Sequence, residues 1–326
     1  GNMVGGSSNL MSGFFHRLKP LDFRLRSEFG PVVGANQVDW PLGYDDLEPY
    51  YTKVEQIVGV SGAVQEHPNA EPRSTADFPY PPTAEHPVSS WIDAACKELG
   101  YHPIKVPRAI LPIKVKERNS CSYSGYCGSY ACSTGAKGSA RAALIEPALA
   151  TQRCDLRPRS KVHRLLSDAR GRVTHAEYFD AAGKKRQVGA RIFVVACQAI
   201  ESSRLLLASP GPAHADGLGN RHGQLGRNLI FSAGGAGSGY LTYAKLSPEK
   251  AAEARVLGPF VNRALQDWYT IRDQTFGKQP AKGGTIDFLM AHPNPCLLYT
   301  SDAADERGGG LGGGGGGGVG GGGGGG

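Results

Sequence analysis

Apolar residues recur at helical spacing in several separate stretches of this chain, and between them the spacing changes to that of strands. Leu47 to Val58 carries one amphipathic stripe, with Asp45 or Asp46 placed to cap it and Pro49 expected in its first turn. SSWIDAACKELG puts Trp91, Ile92, Ala95, Cys96 and Leu99 on one side, with a serine as the start signal and Gly100 as the stop. Ser139 to Ala150 reads as helical. Val173 to Phe179 and Gln187 to Cys197 read as strands joined by a turn at Asp180 to Gly183, and the second ends in the continuous apolar run IFVVAC of a fully buried strand. A helix over Ala199 to Leu207 should follow it. Ser247-Pro248-Glu249 is a helix start, with serine at the cap and proline in the first turn. A last strand should begin near Thr285 in GGTIDFLM and end by His292, whereas Glu66 to Pro87, rich in proline and polar residues, reads as an excursion. No internal repeat is visible. The alternation of helices and strands predicts an α/β fold.

Cysteine usage changes the picture more than bulk composition does. Cys121, Cys127 and Cys132 fall within twelve residues of CSYSGYCGSYACSTGAKGSARAALIEPALA, just before a Gly-Ala-Lys-Gly turn. Soft thiolates this close together suit a metal or redox centre, while a disulfide framework normally spreads its cysteines. Zinc would want a fourth ligand. Ordinary buried thiols are the rival reading. Cys96 belongs to the core face of its helix and Cys197 should be packed at the end of a buried strand; Cys154 carries no signal.

The formal net charge of +7 could signal nucleic-acid affinity, but the basic residues are scattered apart from Lys184-Lys185-Arg186 and the 153–164 stretch. A solvated surface facing an acidic partner fits better, so no nucleic-acid ligand is expected. No apolar run approaches the ~20 residues of a membrane-spanning helix. Two glycine-rich segments invite a phosphate reading. GGAGSG at 234–239 lacks the G-x-G-x-x-G spacing and leads into the strand-like LTYAKL. Val4-Gly5-Gly6-Ser7-Ser8 is better suited: paired glycines allow close backbone approach and the serines supply hydroxyls.

Four segments together, GNMVGGSSNLMSGFFHR, the cysteine loop, RIFVVACQAIESSRLLLASP and GQLGRNL, resemble the glucose-methanol-choline (GMC) family of flavin oxidoreductases. WPLGYDDLEPYYTKVEQIVGVSG fits the branch containing gluconate, fructose and sorbitol dehydrogenase large subunits. The resemblance implies a partial FAD-binding Rossmann-like domain interleaved with an α+β substrate domain. It divides the chain into an FAD-binding part at 1–35, a substrate-domain excursion at 36–120, the cysteine loop with further FAD-binding segments at 121–230, and a substrate-domain part at 231–295. It places Val4, Gly5, Gly6, Ser7, Ser8 and Asn9 along the flavin, with Val162 near the adenine and Ala196, Cys197 and Gln198 beside the cofactor. Gln198 stands where most of the family has a glycine. Covalent attachment uses a histidine near the serines in some members; Asn9 and Leu10 stand here and His16 is further off, so the flavin is expected to be noncovalent.

The same resemblance implies hydride transfer from the CH–OH group of a sugar, polyol or sugar acid to FAD. Electrons would pass to an iron–sulfur or cytochrome acceptor, with a small subunit as a partner, or to oxygen in an oxidase of the same family. A cysteine-ligated metal or iron–sulfur protein without flavin chemistry stands as a further alternative. Some relatives in the sugar dehydrogenase branch hold a [3Fe–4S] cluster through cysteines just before the corresponding Gly-Ala-Lys, which would make Cys121, Cys127 and Cys132 its ligands; Ser124 replaces an additional cysteine of some relatives. That branch would be periplasmic and other branches cytoplasmic.

The ends read as unnatural. The first βαβ unit with its G-x-G-x-x-G is expected to precede Gly1, and the catalytic histidine pair to follow the chain. Phe231-Ser232 stands where many relatives have Asp-His, and His292 is not the equivalent. CLLYTSDAADE from Cys296, followed by glycine, reads as a translated sequencing adapter, so 296–326 is expected to be an artefactual, disordered tail.

Overall fold

In the computed structural model the described residues are 3–231, 234–239, 241–272 and 280–290. His292, Ser232 and the glycine tail lie outside them. The chain divides into two units, Gly1–Thr151 with Gly237–Gly326, and Gln152–Ala236.

The first unit opens with short helical turns at Gly6–Leu10 and Pro20–Arg24, the second running into α1 (Leu25–Phe29). Helix α2 spans Tyr44–Val58 and so starts earlier than its apolar stripe. The Gly43 amide donates to the Asp46 carboxylate at 2.8 Å, which begins the helix there and leaves Pro49 inside it instead of in its first turn. Helix α3 (Val88–Leu99) ends at Gly100, whose φ of 75° takes the left-handed cap conformation. Its expected serine cap is absent. Pro87 occupies the cap position, while Ser89 and Ser90 donate to the carbonyls of Val261 and Pro87. The 141–150 stretch is helical as expected but starts with a π turn, Arg141–Ile145, before α4 (Glu146–Ala150). Pro147 has no N–H to return to the preceding turn, and the wider π geometry absorbs that loss.

Three antiparallel strands, β1 (Pro103–Lys105), β5 (Arg263–Leu265) and β8 (Ile286–Asp287), form one small sheet in the order β1-β5-β8. Thr270–Ile271 (β6) and Ala281–Lys282 (β7) pair beside it in sequence. LTYAKL is not a strand: it contains a 3-10 turn at Tyr243–Lys245, and α6 (Pro248–Ala254) then starts from the Ser247 cap. Two core clusters lie among the described residues of this unit. Val58, Val60 and Ala109 gather Met11, Phe15 and Phe78. Ile110, Leu111, Ala136 and Phe260 gather Tyr80, Val115, Tyr123 and all three cysteines of the loop. A buried polar network flanks them: Arg17 bonds Glu48, Glu55 and Tyr44 at 2.7–3.1 Å, and Arg73 reaches the same Glu55.

The second unit is a three-stranded antiparallel meander, β2 (Lys161–Ser167), β3 (Val173–Phe179) and β4 (Lys185–Gly189), with α5 (Ala199–Leu207) against it. The turn at Asp180–Gly183 is as expected, closed by the Asp180 carboxylate on the amides of Ala182 and Lys184. The buried strand over IFVVAC is not. Residues 190–197 form no strand, with Ile192 81% and Val194 85% exposed. Phe193 and Val195 alone turn inward, onto Leu165, Ala176, Leu205 and Leu218. Cys197 is therefore exposed and not packed. The long ladders of the described residues are all antiparallel, so a parallel Rossmann sheet is not found among them.

Candidate functional site

The glycine-serine loop is held in shape by its own side chains. Gly5 has φ 87°, and a Cβ there would meet Arg141 at 2.8 Å, so this glycine is required by close packing. Ser8 Oγ donates to the Gly5 carbonyl at 2.5 Å and accepts from the Ala140 amide at 2.9 Å; Asn9 Nδ2 donates to the Val4 carbonyl at 2.7 Å. Ser8 and Asn9 thus brace the loop. Gly6 differs: with φ 57°, nothing lies within 4 Å of where its Cβ would stand, and the neighbouring Ser7 is exposed. An open, Cβ-free backbone next to a hydroxyl is the feature here that fits a phosphate-bearing or flat cofactor.

The cysteine loop is bonded to this segment. The Ser129 amide donates to the Leu10 carbonyl at 2.9 Å, and Lys137 Nζ reaches the carbonyls of Asn9, Cys127 and Tyr130 at 3.5, 3.0 and 2.9 Å. Cys121, Cys127 and Cys132 all line one hollow, together with Ile110, Ala136, Lys137 and Phe260. No group of three histidine, cysteine or carboxylate side chains among the described residues is arranged to hold a single metal ion. The donor set that the three cysteines bring to the hollow is all sulfur, the kind that soft metals and iron–sulfur groups take.

The thiols are not equivalent. Burial pushes Cys121 and Cys127 above the ordinary thiol range, with Lys137 and Arg108 opposing the shift at Cys127. Burial also acts on Cys132, but hydrogen bonds from the Thr134 hydroxyl and the amides of Lys137, Thr134 and Ala136 outweigh it and hold this thiol below the ordinary range. Arg108, 2% exposed, is stacked between Phe14 and Phe260, its Cζ at 4.6 and 4.4 Å from their ring centres; burial pulls it down to about 10. Sequence reasoning passed over Arg108 and Arg118. An arginine inside the apolar run Val106 to Leu111 was the available signal for the first; the second offered none.

The other expected contacts lie in the second unit. Val162 sits on β2 opposite Tyr178 and packs on the Leu165 cluster. Ala196 and Cys197 are exposed, and Gln198 caps α5 by accepting from the amides of Ile200 and Glu201 at 2.9 and 3.5 Å. Gln198 keeps a glycine-like backbone, φ 72° and ψ 162°, although it is not glycine. In GQLGRNL the turn is at Leu225-Gly226, closed by the Arg227 amide on the Gln224 carbonyl at 3.2 Å, and Asn228 follows at a bend with φ 56°.

The first unit holds a second hollow, where His16, Gln65, His67, Arg73 and Lys105 meet apolar residues such as Val64, Phe78 and Ile104. His67 Nδ1 accepts from the Asn69 amide at 3.0 Å, and its buried Nε2 has no hydrogen-bond partner. Asp267 lies 3.9 Å from that nitrogen and bonds His102 at 2.7 Å. No helix is long and apolar enough to cross a membrane among the described residues.

Residues 1–232 match the family described as GMC oxidoreductase. The chain is 34% identical to paromamine 6'-oxidase of Streptomyces fradiae, over 83% of this chain and 48% of that protein. It is 32% identical to 2-methyl-1,2-propanediol dehydrogenase of Mycolicibacterium austroafricanum, over 70% and 40%. It is 29% identical to the fructose dehydrogenase large subunit of Gluconobacter japonicus, over 71% and 41%. The chain thus spans about half the length of the curated relatives it matches.

Proposed function

Because the chain belongs to the GMC oxidoreductase family, we propose that it serves an FAD-dependent oxidation of CH–OH groups in sugars, polyols or related alcohols, with electrons leaving through the cysteine site. FAD, when bound, accepts the hydride from the alcohol carbon. The residues of this chain provide its seat. Gly6 leaves the backbone open to the cofactor, Ser7 stands exposed beside it, and Gly5, Ser8 and Asn9 hold the loop in that shape. Among the described residues we assign no catalytic base.

The bond network joining the cysteine loop to the glycine-serine loop is the observation that carries the relay half of this reading. Cys121, Cys127 and Cys132, which would hold a [3Fe–4S] group, belong to a loop that hydrogen-bonds through Ser129 and Lys137 to the Leu10 and Asn9 carbonyls, at the end of the segment proposed to seat the flavin. Such a placement suits one-electron transfer to a cytochrome or a small-subunit partner. A second reading is supported by the names of two relatives, paromamine 6'-oxidase and 6'''-hydroxyparomomycin C oxidase: oxygen as the acceptor, with the cysteines as packing.

Anaerobic mixing of the purified complete gene product with a panel of sugars and polyols tests the first half. Bleaching of flavin absorbance by at least one of them is expected; no flavin, or flavin that no alcohol bleaches, would refute it. Cys127→Ser separates the two acceptor readings. The relay predicts loss of electron transfer to a one-electron dye with flavin bleaching retained, and the oxidase predicts no change in either.

A further inference from the structure

Three cations stand at or near the cysteine hollow without a carboxylate in ion-pair contact among the described residues, although Asp287 and Glu146 act on Arg108 and Arg118 from further off. Lys137 lines it and is 2% exposed; Arg108, equally buried, stacks on Phe260 of its wall. Arg118 donates to the carbonyls of Gly135, Val58 and Ala136, and Cys132 feels its charge. Among the described residues none of the three forms an ion pair. Arg108 is satisfied by the Asn262 side chain and the Ser12 carbonyl, each at 3.0 Å, and Lys137 by three carbonyls. Arg17, Arg73 and Arg263 show the alternative, since each of these buried guanidiniums faces a carboxylate. Burying a cation without an anion is costly, so such groups normally come paired. A net-negative guest held by the three cysteines would give these cations a counter-charge close by.

We propose that Lys137 is a positioning residue that locks the cysteine loop onto the glycine-serine loop and, together with Arg108 and Arg118, favours the reduced, more negative state of the group those cysteines hold. This rests on the cysteines ligating an iron–sulfur group. The electron balance explains the effect. An alcohol gives up a hydride to the flavin and its hydroxyl proton to a base. Two electrons then leave the flavin singly, its proton going to solvent. Each electron adds one negative charge to the cysteine-held group before an external one-electron acceptor removes it. A fixed cation beside the group stabilises the charged state and so makes the transfer from flavin more downhill.

The test is Lys137→Gln in the complete gene product, with iron and acid-labile sulfide measured against flavin and the equilibrium followed by electron paramagnetic resonance in a potentiometric titration. Metal should stay at the wild-type ratio, because all three thiols remain. The reduced form should become disfavoured by about tenfold, ~59 mV for a one-electron couple. Arg118→Gln removes charge from a different segment and should shift the equilibrium in the same direction; it stands in should Lys137→Gln not fold. An unchanged or oppositely shifted equilibrium with the metal present overturns the proposal and leaves the ligation standing. A wild-type protein without iron overturns both.

Discussion

Gly258 and Tyr123 pack backbone against backbone: a Cβ on Gly258, whose φ is 103°, would overlap the Tyr123 carbonyl. Both residues line the cysteine hollow, so this contact fixes part of its wall. Gly258→Ala adds a collision to a backbone strain of about 1–3 kcal/mol. The expected outcome is a stability loss of at least that size, read by urea unfolding, together with faster alkylation of Cys121 and Cys127. A neutral substitution would mean that the loop is not held there.

Thiol reactivity in metal-free protein should follow burial and hydrogen bonding. Cys154 and Cys197 are exposed and should be alkylated first, and Cys132 next, because hydrogen bonds hold its thiol low. Cys121, Cys127 and the buried Cys96, all pushed up by burial, should react last. Mass spectrometry after timed iodoacetamide treatment between pH 7 and pH 9 reads the order directly. Cys127 reacting ahead of Cys132 would contradict it.

Gln198 offers a paired test. Its backbone conformation suits glycine almost alone, while its side chain caps α5. Gln198→Gly relieves the strain and loses the cap, and should leave the second unit about 1 kcal/mol more stable, since glycine is itself a tolerable cap. Gln198→Ala keeps the strain and loses the cap, and should cost about 1 kcal/mol. The two melting temperatures should therefore move in opposite directions.

Acid sensitivity should trace to the polar network behind the core. Hydrogen bonds from the Ser74 amide and hydroxyl and from Arg17 hold Glu48 at about 2, against an ordinary 4.5. A carboxyl lowered in the folded state contributes stability that is fully present above its unfolded value and is lost as the pH falls through the folded one. The wild type should lose stability between about pH 4.5 and pH 2, and Glu48→Gln should start lower and fall less steeply across that window. Parallel unfolding curves for the two proteins would rule out the assignment.

Local signals in the sequence were legible where a short-range interaction decides the structure. The Ser247-Pro248 start, the Gly100 stop, the Asp180–Gly183 turn and the limits of α5 depend on residues a few positions apart, and all are found. The failures share a different cause. IFVVAC has the composition of a buried strand, but strand formation needs a partner ladder, and composition cannot say whether one is present. The serines before Trp91 had the right chemistry for a cap but are taken by other carbonyls. At the site, the glycines and cysteines announced themselves by spacing. Their electrostatic setting did not, because Arg108 and Arg118 precede the cysteine loop in sequence and only folding brings their charges near the hollow that Lys137 lines.

The relay at the centre of this account is tested most directly by assaying iron and acid-labile sulfide against flavin in the purified complete gene product. The account predicts one FAD and the stoichiometry of one [3Fe–4S] group per chain, with the iron lost in Cys127→Ser and the flavin kept. Flavin present at full occupancy with no iron or sulfide would contradict it.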